Sequence, residues 1–147
     1  MPPVIEVNGP MELQNQKPIY FIAKGSSYTH FYFQIDQPAV IKIKTWPLDQ
    51  DSEPDLYVTV NQENVSSESY HWKSNKIGAD EIVLYPDDPK FKLGLFRVAV
   101  EAFRGDHDHC IGVQVLVREA KEVILLEKDG DPTTVTVHDS VFFKYVI

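Results

Sequence analysis

The chain has 147 residues, room for one domain with a buried core. Its 14 basic against 22 acidic residues give a formal charge of −8, which repels phosphate backbones and anionic lipid surfaces, so no nucleic-acid partner is expected. The single cysteine, Cys110, excludes an intramolecular disulfide and leaves any thiolate zinc pattern short of ligands.

Residues 1–10 lack the basic start and apolar run of a secretory signal, and no later stretch has the length and hydropathy of a membrane span, so membrane insertion is not expected. Beyond them, apolar residues recur at close to every second position between clusters of Pro, Gly, Asn and Asp. This spacing predicts strands over residues 19–23, 29–35, 39–46, 56–61, 81–84, 95–102 and 112–118. In the second, Tyr28, His30, Tyr32 and Gln34 alternate with Phe31, Phe33 and Ile35. In the third, Val40, Ile41, Ile43 and Trp46 flank Lys42 and Lys44, so one face is expected buried and the other wet. Residues 118–122 are too short for a stable helix, and the reading is an all-β, antiparallel β-sandwich of about seven to eight strands with little or no helix.

The tail repeats the order of the opening. Val123 to Leu126, Gly130, Thr133 to Val137 and then Val141 to Val146 follow the order of Val4 to Val7, Gly9, Ile19 to Ala23 and then Phe31 to Ile35. The expected division is therefore a sandwich over 1–121 and the first strands of a truncated second repeat over 122–147. Such strands cannot form a core alone and must pack on this domain, pair with another copy of the chain or stay loose, and neighbouring domains of a parent chain are expected partners of the module.

Four pieces carry a resemblance. They are the strand from Thr29 through Phe31 and Phe33 to Ile35; Ser52-Glu53-Pro54-Asp55-Leu56-Tyr57-Val58; Tyr70-His71-Trp72-Lys73-Ser74; and the pair 95–102 with 110–115. In this order, across residues 28–117, they resemble the bacterial pre-peptidase C-terminal domain family and its jelly-roll-like relatives. The chain departs from that family in lacking its glycine-rich hairpins. The resemblance implies a non-catalytic module of secreted or surface proteins that binds matrix protein, carbohydrate or its own enzyme. It also implies that Asp55 opens a strand and orders the preceding turn, that Leu56 and Val58 point inward and Tyr57 outward, and that Trp72 lies over the core edge.

Few residues suggest chemistry. Asp49, Asp51, Glu53 and Asp55 place carboxylates at alternate positions, and calcium takes several oxygens from one loop; calcium is the candidate ion there, and without a turn glycine a solvated acidic loop is the simpler reading. Asp87 and Asp88 lie in a proline-bounded turn. The run Gly105-Asp106-His107-Asp108-His109-Cys110 contains zinc and copper ligand types, but alternation sends its histidines and carboxylates to opposite sides, which favours a hairpin loop. Asn64-Val65-Ser66 fits the N-glycosylation pattern.

No nucleophile elbow, zinc-protease helix or phosphate loop is present, and Cys110 is expected to be a packed, inert thiol, so no enzyme and no organic cofactor is expected. The functional expectation is a binding module of a multi-domain protein that recognises protein or glycan. Its contacts are drawn from Tyr57, Tyr70 and Trp72, with Tyr28 and Trp46 as further aromatics. The alternatives are a structural spacer and a calcium-stabilised accessory domain of a peptidase.

Overall fold

The computed structural model describes residues 3–49, 52–76, 79–103, 108–119, 121–126 and 132–137, and among these it is all-β without a helix. The strands are β1 (Val4–Glu6), β2 (Met11–Glu12), β3 (Ile19–Ala23), β4 (Tyr28–Ile35), β5 (Ala39–Pro47), β6 (Glu53–Val60), β7 (Trp72–Ser74), β8 (Asp80–Leu84), β9 (Gly94–Phe103), β10 (His109–Glu119), β11 (Lys121–Leu126) and β12 (Pro132–Val137). One five-stranded sheet has the order β1-β3-β10-β5-β8 and the other β2-β4-β9-β6-β7.

Strands β3 to β10 form a jelly roll. Counted along this segment, the first sheet runs first, eighth, third, sixth, and the second runs second, seventh, fourth, fifth, the double Greek key of that architecture. All seven expected strands are present, and β6 begins earlier, at Glu53. The strand count exceeds the expectation because β1, β2 and β7 are two or three residues long, too short to display a period of two. Strands β1 and β2 add to the sheet edges by parallel pairing with β3 and β4.

Strands β11 and β12 make a separate two-stranded antiparallel sheet, whereas β1 and β3 pair in parallel. The last strand of the proposed repeat, over 141–146, lies outside the described residues.

The alternation read from sequence sets the core. Thr29, Phe31, Phe33 and Ile35 of β4 face inward, as do Ala39, Ile41, Ile43 and Thr45 of β5, while Lys42 and Lys44 face out. Phe21 meets Phe31 edge-on at 5.2 Å, and Phe33 stacks on Phe96 at 5.2 Å. Each such side chain contributes about 1.5–3 kcal/mol of hydrophobic stabilisation relative to exposure. Strand β6 differs, being buried on both faces: Leu56, Val58 and Val60 enter this core, and Tyr57 joins a second cluster with Val65 and Ala99.

One contact locks the turn at the end of β6. Asn61 sits at φ 53°, donates through Nδ2 to Leu93 O at 3.0 Å and accepts at Oδ1 from Leu95 N at 3.0 Å. Gly94 has φ 139°, and a Cβ there would fall on the Asn61 amide. Gly94→Ala is therefore expected to lower unfolding stability by about 2 kcal/mol in urea titrations; a variant within experimental error of the parent would show that this bridge does not constrain the turn.

Candidate functional site

The outer face of the second sheet is the most elaborated surface of the sandwich. Cross-strand register arranges it in rows: Tyr28, Glu101 and Asp55; then His30, Ala99, Tyr57 and Lys73; then Tyr32, Arg97 and Thr59. Residues 61–71, which connect β6 to β7, fold back over part of this face. Val65 is buried against Tyr57 and Ala99, and Ala99 supplies the depth because its side chain ends at Cβ.

Hydrogen bonds fix the returning segment at several points. The Tyr28 hydroxyl donates to Ser67 Oγ at 2.9 Å and accepts from Ser67 N at 3.1 Å. Gln62 Nε2 donates to Ser69 Oγ at 2.6 Å and Asn64 O at 2.8 Å, while Ser66 and Ser69 form a β-bridge. At the far end, His71 Nδ1 accepts from Val60 N at 3.0 Å. That bond needs a neutral imidazole, and the His71 pKa is lowered from its ordinary 6.5 by burial, with Lys90 and Lys92 adding to the effect.

The three aromatic residues expected to make contacts are separated by this arrangement. Tyr57 points outward as expected but is only 4% exposed, because the returning segment covers it; its hydroxyl lies 3.4 Å from Glu101 Oε1. Its role is therefore packing. Tyr70 is 36% exposed, lies 5.8 Å from the Tyr57 ring and carries Lys73 Nζ 5.2 Å above its own ring.

Trp72 pairs with Val58, on the opposite side of the sheet from Tyr57. It stacks on Phe96 at 6.2 Å and donates from Nε1 to Asp88 Oδ2 at 3.2 Å, so it covers the core edge and is no part of the outer face. Trp46 belongs to the other sheet, where it lies over Gly112 with Tyr20 at 6.0 Å. Alternation gave each side chain a face but could not show which face a later segment covers.

Beside the returning segment is a cleft of about 430 Å³ lined by Pro10, His30, Phe31, Tyr32, Glu63, Leu95 and Arg97. Its size falls within the range of small-ligand and side-chain pockets. Burial lowers the His30 pKa, which favours the neutral ring. Arg97 is half-buried and donates through Nη1 to Gln62 O at 3.0 Å. Neither residue belonged to a motif. The available signal was Arg97 as a lone guanidinium within the apolar run from Leu95 to Val100.

The acidic residues fall elsewhere. Asp49 Oδ1 accepts from Ser52 Oγ, and its Oδ2 accepts from Cys110 N at 2.9 Å; His109 Nδ1 is 3.9 Å from Oδ1. These contacts use the Asp49 carboxylate to tie the β5–β6 loop to β10. Glu53 and Asp55 lie on β6, and Asp51 is outside the described residues, as are Asp106 and His107 of the histidine-rich loop. Among the described residues, no three His, Cys, Asp or Glu side chains come together as a metal site.

Asp55 instead faces other carboxylates. Burial first, then Asp80, Glu101 and Glu53, raise its pKa from 3.8 to about 6. Asp80 is 1% exposed and also raised by burial, although its Oδ1 accepts from Lys76 N at 2.8 Å. Ser74 and Asp80 are both buried, and the Ser74 side chain, by hydrogen-bonding the carboxylate, opposes that rise.

No protein-family model matches the chain, and no curated protein matches its sequence. Among solved structures, the fold is similar to that of PliG from Aeromonas hydrophila, a periplasmic lysozyme inhibitor of g-type lysozyme. The likeness has a TM-score of 0.56 at 10% identity and covers 77% of this chain and 98% of that one. At this identity the two chains share a fold.

The carboxylate cluster predicts a pH dependence. Between 3.8 and about 6, folded Asp55 retains a proton that the unfolded chain has released, so its contribution to stability is lost as pH rises through that window. Asp80 acts with the same sign, and His30 and His71 with the opposite sign, because folding disfavours their protonated forms. Asp55→Asn should melt at the parent's temperature near pH 4 and several degrees higher near pH 7. A lower melting temperature for the variant at pH 7 would show that the ionised carboxylate stabilises the fold.

Proposed function

We propose that the chain is a non-catalytic protein-recognition module, acting outside the cytoplasm, whose contact surface is the outer face of the second sheet. The observation that carries this reading is the segment 61–71, fixed on that face by Tyr28, Gln62 and Val65 so that Tyr70 and Lys73 stand exposed, while Glu63 of the same segment walls a cleft with His30 and Arg97. A surface held in one conformation before binding loses little entropy when a partner docks. Exposed tyrosine is also a common anchor in protein interfaces.

Fold similarity adds support. PliG inhibits a lysozyme, so a sandwich of this kind can serve to bind a protein, and its periplasmic setting agrees with placement outside the cytoplasm. The pre-peptidase C-terminal relationship is proposed on the motif order alone; its four pieces fall on β4, on β6 and the loop before it, on β7 and the residues before it, and on β9 with β10. A multi-domain parent is proposed from the separate β11–β12 sheet, which needs further structure to cover it.

The test is affinity capture of extracytoplasmic proteins from the source organism on the immobilised domain, followed by titration of the purified partner and, in parallel, a glycan array. A saturable protein partner is expected, with Tyr70→Ala weakening binding about tenfold and Tyr20→Ala, on the first sheet, leaving it unchanged. Saturable binding to glycans alone, or a protein partner indifferent to Tyr70→Ala, would overturn this assignment of the face.

A further inference from the structure

We propose that the cleft beside the returning segment is a carboxylate receptor, and that Arg97 takes an aspartate or glutamate side chain from an extended segment of the partner protein. This inference rests on the recognition face proposed above and specifies its ligand.

The central observation is an unpaired charge. In a chain with 22 acidic and 14 basic residues, a half-buried guanidinium should readily find a carboxylate. Among the described residues, none lies within ion-pair distance of Arg97, and its resolved hydrogen bond is the one from Nη1 to Gln62 O at 3.0 Å. That bond orients the side chain but uses one of five N–H donors.

The fold explains why the protein's own acids do not reach it. Glu101 also points outward from β9, but four residues along the strand puts it about 13 Å away, with Ala99 and the Tyr57 ring in the row between. Glu63 contributes to the cleft wall without pairing with Arg97.

The lining decides the ligand class. A planar guanidinium matches a carboxylate in a two-bond fork. A doubly charged phosphate would have one cation to meet, Glu63 on the wall, a neutral-leaning His30 and a chain of net charge −8. Pro10 and Leu95 supply apolar wall that a free carboxylate would leave empty. They suit the residues flanking an acidic side chain, which commits the site to a protein segment with apolar neighbours around the acid.

The experiment is amide NMR titration of the full chain with a capped pentapeptide carrying glutamate between valines, against its glutamine counterpart, sodium acetate and inorganic phosphate. The glutamate peptide should shift amides of residues 30–32 and 95–97 saturably. Glutamine should bind at least fivefold more weakly, acetate should bind more weakly at the same site, and phosphate should leave those amides in place. Arg97→Gln should abolish the response, and Arg97→Lys, which keeps the charge and loses the fork, should weaken it severalfold; spectral dispersion reports whether each variant is folded. Equal binding of both peptides, phosphate or acetate binding as tightly as the glutamate peptide, or an unchanged response in a folded Arg97 variant would overturn the proposal. If the peptides fail while Tyr70→Ala still weakens the whole partner, the recognition face stands and the carboxylate site falls.

Discussion

Strand β6 must be covered on both sides, and much of the second sheet follows from that requirement. Its inner residues Leu56, Val58 and Val60 are supplied by the sandwich itself, but Tyr57 and Thr59 on the other face need a separate cover. The segment after β6 provides it, with Val65 packed over Tyr57 and Ala99 and with Thr59 Oγ1 donating to Gln62 O at 3.1 Å. Because this segment lies flat against the sheet, its edge becomes a cleft wall and Tyr70 is carried into solvent. A packing constraint thus creates the surface that recognition can use.

Charge is distributed along the same face by strand geometry. Asp55 and Glu101 sit directly opposite each other in one row, and Asp80 of the other sheet adds a third nearby carboxylate. These neighbours add to burial in raising the Asp55 pKa, so this end is least favourable when that carboxylate is ionised. Arg97 is held two rows away, because side chains on one face of a strand recur only every second residue. The rigidity of the sheet keeps the opposing charges from collapsing together.

Likeness to PliG extends over nearly the whole of that protein, yet at 10% identity it speaks to architecture. Jelly-roll sandwiches carry unrelated functions on loops and faces, so the distinction between one module and another lies in what covers the sheets. Here the first sheet presents Trp46 lying over Gly112 beside Tyr20, while the second presents a fixed segment and a cleft. The two outer faces are chemically different despite equal strand number.

The sequence by itself determined the all-β class, the seven longer strands and the inward side of β4 and β5, because a period of two reports directly which side chains share a face. The inward placement of Leu56 and Val58 and the position of Trp72 at the core edge, which the structure has, were implied by the family resemblance and not by alternation. Only the tertiary structure decided that Tyr57 is buried, that Asp49 serves to tie a loop to β10, and that Arg97 and His30 share a cleft. Each of those outcomes depends on contacts between segments far apart in the chain. Local alternation assigns a side chain to a face, but only the path of the remaining chain determines whether that face meets water, an opposite charge or another side chain.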